Sequence, residues 1–129
     1  MEDLKKNEFG KAVSALAAAQ QKKADMEQEK ISCINGFRHS ISQGIDPLDI
    51  KQHNQYIEKL KQMIKAQEEV IVRAEALVEE KRAELVEAMR DKKAMETLKE
   101  NDFEEFLEEE KKAEQKVVDE IVSYRGSRK

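Results

Sequence analysis

The residues able to do chemistry are few and scattered. His39 and His53 lie fourteen positions apart on either side of a Gly- and Pro-containing break. Neither has cysteines or carboxylates at the spacing of a zinc site. Cys33 has no histidine at a helical spacing that would activate it, so it reads as a thiol on a packed seam. As the only cysteine in the chain it can form no internal disulfide, which fits a reducing compartment. The run Glu104-Glu105-Phe106-Leu107-Glu108-Glu109-Glu110 offers carboxylates, either as a solvated helix face or as an acidic docking surface. No glycine-rich phosphate loop is present, so any link to ATP must run through a partner that hydrolyses it. These features predict a protein that binds rather than catalyses, with no cofactor.

The elements that carry these residues follow from composition. Ala, Glu, Lys, Leu and Arg make up about half of the 129 residues, a level typical of coiled coils when helical periodicity accompanies it. Charged residues reach 40% and aromatic residues only 5%, too little bulk for a globular core but enough for a narrow interhelical seam. Strand-type alternation is absent. The net charge of −4, with both signs interspersed, argues against nucleic acid as the main partner. The apolar runs are too short for direct membrane insertion, and no secretory signal pattern opens the chain. Together these point to a cytoplasmic protein.

Punctuation comes at Ser42-Gln43-Gly44-Ile45-Asp46-Pro47-Leu48-Asp49. Gly44 can adopt the left-handed conformation that ends a helix. Asp46 is a favourable N-cap, and Pro47 fits the first helical position. The predicted layout is helix 1 over about 2–42, a turn at 43–46, helix 2 over about 47–124, and a frayed tail at 125–129 holding Arg125, Arg128 and Lys129. The fold class is all-α, a long antiparallel two-helix coiled-coil hairpin with unequal arms.

Helix 2 has the clearer period. Ile50, Ile57, Ile64, Ile71, Val78 and Leu85 recur every seven residues, and a strict seven-residue repeat implies left-handed supercoiling. Beside them runs a second row, Tyr56, Met63, Val70 and Leu77, and a mixed third row, His53, Leu60, Gln67, Ala74, Lys81 and Ala88. The expected seam is Ile50, Ile57, Leu60, Ile64, Ile71, Val78 and Leu85. Helix 1 repeats the pattern more weakly through Phe9, Val13, Leu16, Ala17, Ala24, Ile31, Ile34, Phe37 and Ile41. Outward pairs such as Glu2→Lys6, Glu69→Arg73 and Glu108→Lys112 have the favourable order, each contributing only about 0.2–0.5 kcal/mol.

If the chain folds back at Gly44–Asp46, residue i lies near residue ~90 − i, because both helices rise equally per residue. Residues after about Met89 then have no partner within this sequence. That stretch holds Met95, Leu98, Phe103, Phe106, Leu107, Val117, Val118, Ile121 and Val122. Two explanations stand side by side. Either more of the first helix precedes Met1, or the stretch docks on a partner or associates with a second copy of itself. Phe103 and Phe106 accordingly either pack on the preceding segment or anchor a partner.

A family resemblance rests on the C-terminal half. Arg90-Asp91-Lys92-Lys93-Ala94-Met95-Glu96-Thr97-Leu98-Lys99-Glu100 resembles the R/K-x-x-x-E-x-L-K/R-E signature of the flagellar export protein FliJ family. Glu114-Gln115-Lys116-Val117-Val118-Asp119-Glu120 is similar to that family's E-Q-K-x-x-D-E block. Gln55-Tyr56-Ile57-Glu58-Lys59-Leu60 resembles its entry to the second helix, and Glu2-Asp3-Leu4-Lys5-Lys6-Asn7-Glu8-Phe9 resembles the middle of its first helix. The departure is at the start, where family members usually carry a further apolar and basic segment.

The resemblance implies a non-enzymatic part of the flagellar type III export apparatus. Its partners would be the export ATPase, bound by a stalk-like element, the cytoplasmic domain of the membrane-embedded export gate, to which it would be peripheral, and export chaperones. The implied partner-binding residues are Lys93, Glu96, Leu98, Lys99, Glu100, Phe103, Phe106, Glu114, Gln115, Lys116, Asp119 and Glu120. Readings outside this family are a structural or dimerising spacer, or a stalk subunit of a rotary ATPase or an injectisome.

Overall fold

A computed structural model describes residues 1–127. It contains two helices, α1 (Glu2–Ser42, 41 residues) and α2 (Pro47–Ser127, 81 residues), which pack against each other as a helical hairpin. The chain divides into two compact units, Met1–Val86 and Glu87–Lys129.

The turn is built locally. Gln43 N–H donates to Ser40 O at 3.1 Å and Gly44 N–H to Ile41 O at 3.2 Å, which satisfies carbonyls left open at the end of α1. Gly44 has φ +88°, a conformation that side chains disfavour. The Asp46 side chain then accepts from Leu48 N–H at 3.4 Å, and its carbonyl accepts from Asp49 N–H at 3.0 Å. Pro47 opens α2. At the other end, α2 continues past the expected Tyr124 through Arg125 to Ser127, with Arg125 suitably placed for the negative end of the helix dipole. Arg128 and Lys129 lie outside the described residues.

Within the first unit, the seam alternates steps of three and four on both helices. On α2 its covered members are Ile57, Leu60, Ile64, Gln67, Ile71, Ala74, Val78, Lys81 and Leu85, joined at the turn end by His53. The mixed row is therefore the inner one, with Leu60 only 5% and Gln67 only 6% exposed. Tyr56, Met63, Val70 and Leu77, at 40–41% exposed, form a flank instead. The helix has only two inward rows per heptad, and the Ile57 row with the Leu60 row already fills them. Ile50 also departs from the expected seam. It is 38% exposed in the first turn of α2, near the end of α1, where the apolar Ile41 is itself more than half exposed.

On α1 the inner line is Lys5, Phe9, Ala12, Leu16, Ala19, Lys23, Met26, Lys30, Cys33 and Phe37, with Glu2, Glu8 and Ile34 partly covered beside it. Val13, Ala17, Ala24, Ile31 and Ile41 lie off this line and are exposed, so the expected α1 pattern is corrected at those five positions. The inner line mixes small and cationic residues, whose aliphatic stems cover apolar surface while their ammonium groups reach outward. The pairing is antiparallel and in one register. Gln67 Nε2 donates to Ala19 O at 2.9 Å, Tyr56 OH donates to Glu29 Oε1 at 3.2 Å, and Lys23 Nζ lies 3.3 Å from Glu68 Oε1. The Gln67 bond is the one buried polar cross-link of these three, and slipping the register would leave its amide unsatisfied.

A four-charge cluster joins the helices in this unit. Lys5 Nζ lies 3.6 Å from both Glu8 Oε2 and Glu84 Oε2, while Lys81 Nζ lies 3.4 Å from Glu8 Oε2 and 3.2 Å from Glu84 Oε2. Each charge touches two of opposite sign. Glu84 Oε2 is covered from solvent and held by these ion pairs without a well-formed hydrogen bond. The close Lys81 ammonium holds the Glu84 carboxyl below its ordinary value, against the opposing effect of burial and with further help from Lys5. Lys81 is raised, first by Glu84 and then by Glu8.

The pH consequence follows from those directions. A depressed Glu84 contributes stability above the unfolded glutamate value of about 4.3, and that contribution is lost as pH falls through the folded value. A raised Lys81 contributes below the unfolded lysine value of about 10.4 and loses its contribution as pH rises through the folded one. Thermal unfolding followed from pH 7 into acid is expected to show a shallower loss of Tm in Glu84→Gln than in the parent. Parallel curves would show that the cluster does not couple to folding.

Candidate partner-binding surface

The second unit is α2 from Glu87 onward, and every described side chain from Met89 to Gly126 is exposed. The proposed recognition residues all stand on this surface, but they do not share one face. At 3.6 residues per turn, successive side chains are about 100° apart. Lys112, Gln115, Lys116, Asp119, Glu120 and Ser123 line one strip, where Gln115 Nε2 donates to Asp119 Oδ1 at 3.0 Å. Glu114 belongs to another strip with Glu104, Leu107, Glu108, Glu110 and Lys111. Lys93 and Leu98 line a third with Arg90, Ala94, Thr97 and Asn101. The strips are shallow surface grooves of different charge: the first carries both signs, the second is mostly acidic and the third holds only cations.

Phe103 and Phe106 sit three residues apart, 61% and 54% exposed, on the side of α2 that also carries Val117 and Ile121. Large apolar side chains exposed in a row mark interaction surfaces more often than solvent faces. Glu96, Lys99 and Glu100 are exposed as well, in the turns before Phe103. The acidic run from Glu104 to Glu110 is wholly exposed, and no group of three or more potential metal ligands occurs among the described residues. Among those residues, no helix is long and apolar enough to cross a membrane.

Local spacing missed one constellation. Cys33 Sγ lies 3.8 Å from His53 Nδ1 across the seam, and the His53 ring stacks on Phe37 at 3.7 Å with an interplanar angle of 3°. Cys33 has no histidine at a helical spacing along α1, and its imidazole neighbour comes instead from the opposite helix. Only the hairpin register could have revealed it. Next to this group, Tyr56 is raised, mainly by burial and then by the Glu29 carboxylate it donates to. His39 stays exposed near the end of α1.

The family model described as "Flagellar FliJ protein" matches residues 1–129. No curated protein and no solved structure matches the chain.

Proposed function

Given that the chain belongs to the flagellar FliJ protein family, a non-catalytic component of the flagellar export apparatus, we propose that it binds the export ATPase through the exposed second unit of α2. In this reading the Gln115–Lys116–Asp119–Glu120 strip meets the ATPase as a stalk element. The segment from Lys93 through Lys99 to Phe106 serves the export gate and export chaperones. The work takes place in the cytoplasm, peripheral to the membrane-embedded gate. No residue performs chemistry: an ordered helix biases how neighbouring ATPase subunits assemble.

The observation that carries this reading is the family match over the whole sequence, together with a charged helical surface that is fully exposed. Lysines followed by Asp119 and Glu120 on one strip suit steering and register at a protein interface. A photo-reactive residue at Lys116 is expected to cross-link to the purified export ATPase, whereas one at Asp25, far from this surface in sequence, is not. Equal labelling at both positions, or none at Lys116, would overturn the assignment of the surface.

A further inference from the structure

We infer that α1 and α2 of the first unit have a second packed register, reached when α1 slides one heptad toward the turn, and that charges beside the seam select between the two. Gln67 bonded to Ala19 O, with Cys33 beside His53, sets which residues are level. Leu16 lies level with Ile71, Lys23 with Ile64 and Lys30 with Ile57. After a slide of seven residues, about 10 Å, they come level with Ile64, Ile57 and Ile50. Each exchanges one isoleucine for the next, so this apolar row does not distinguish the registers.

Gln67 makes the step a whole heptad. Its amide donates to Ala19 O past a methyl side chain. A slide of one turn sets Leu16 across from it and leaves the amide unsatisfied, as any partial slip does. After seven residues it faces Ala12, buried and again an alanine, whose carbonyl can accept the same bond.

The turn supplies the slack and sets the direction. Sliding α1 toward it lengthens the loop, whereas the opposite slide would need a connection shorter than residues 43–46. Residues 38–44 are seven in number and all exposed, so little burial is lost when they leave the helix. Asn35 and Gly36, just before them, have low helix propensity. The slide gives up the Phe37–His53 stack, and it brings Lys30 over Ile50, now 38% exposed.

Charge separates the two registers. Lys23 lies 3.3 Å from Glu68, and after the slide it meets Lys61 instead. Lys5 leaves Glu84 for Leu77, and Glu8 leaves Lys81 for Ala74. The attractive pairs favour the register seen, and salt that screens them favours the other. Lengthening the turn is thereby carried along the unit as a displacement of α1 by about 10 Å.

Cysteine pairs in the full chain, in a Cys33→Ser background, read the register. Tyr56 donating to Glu29 makes Ala15 level with Val70 on the same exposed flank. Ala15→Cys with Val70→Cys marks the register seen, and Ala15→Cys with Met63→Cys marks the second, each closed by a short thiol-to-thiol spacer. Lys61→Glu with Glu68→Lys moves the attractive partner of Lys23 from one register to the other. Both positions are exposed, so the exchange leaves the seam and the net charge as they were. It should raise the closure rate of the Met63 pair relative to the Val70 pair about tenfold. Concentrated salt should raise the same ratio in the chain without the exchange. An unchanged ratio, or a fall of both closures together, which is opening rather than sliding, would overturn the inference.

Discussion

Replacing Ile64 with aspartate is expected to abolish most of the cooperative helix signal of the first unit. Ile64 sits in the middle of the α2 seam, one step after Leu60 and one before Gln67. The change removes apolar burial worth about 1.5–3 kcal/mol. It also places a carboxylate in a seam where the neighbouring inward positions are filled by leucine and by a glutamine already bonded to Ala19 O. Desolvating that charge adds a further penalty of order 1–3 kcal/mol. The sum, about 2.5–6 kcal/mol, reaches the lower end of a small domain's whole stability of about 5–15 kcal/mol. Circular dichroism against temperature measures it, and an unchanged transition would remove Ile64 from the seam.

A paired substitution distinguishes the inner row from the flank. Leu60→Ala empties the most buried large side chain of α2 and is expected to lower stability by about 2–5 kcal/mol. Leu77→Ala touches a residue 41% exposed on the flanking row and should cost no more than about 1 kcal/mol. Denaturant midpoints at constant slope report both. Equal losses would mean that the Tyr56–Leu77 row is also packed. A larger loss at Leu77 would reverse the assignment of inner and outer rows.

The contrast shows what local pattern could and could not reveal. The turn was legible because Gly44, Asp46 and Pro47 each have one strong positional preference, and these agree. The Ile57 row of α2 was legible because bulky aliphatic residues repeat at seven. The second inward row of α2 was legible only at Leu60, since His53, Gln67 and Lys81 in the same row look like surface residues. The same holds on α1, where Lys5, Lys23 and Lys30 occupy inward positions while Ile31 and Ile41 point away. Hydropathy cannot separate a lysine whose stem packs from one fully in water.

Register hid more than composition did. Cys33 and His53 meet, and Lys5, Glu8, Lys81 and Glu84 meet, only because the hairpin aligns distant segments. On the second unit, the blocks from Lys93 to Glu100 and from Glu114 to Glu120 stand out in sequence, yet the helix distributes them over separate strips. Glu114 and Lys116 are neighbours along the chain but face different sides of α2. A partner that reads Lys116 and Asp119 together therefore does not have to read Glu114.

Binding to the export ATPase, proposed above, is read out by a titration. Purified export ATPase would be mixed with increasing amounts of the chain while ATP hydrolysis and ring formation are followed. Stimulation is expected to saturate, and to weaken when Lys116 and Asp119 are reversed in charge while circular dichroism stays unchanged. Hydrolysis and ring formation that remain flat at every concentration, with the chain fully helical, would contradict it.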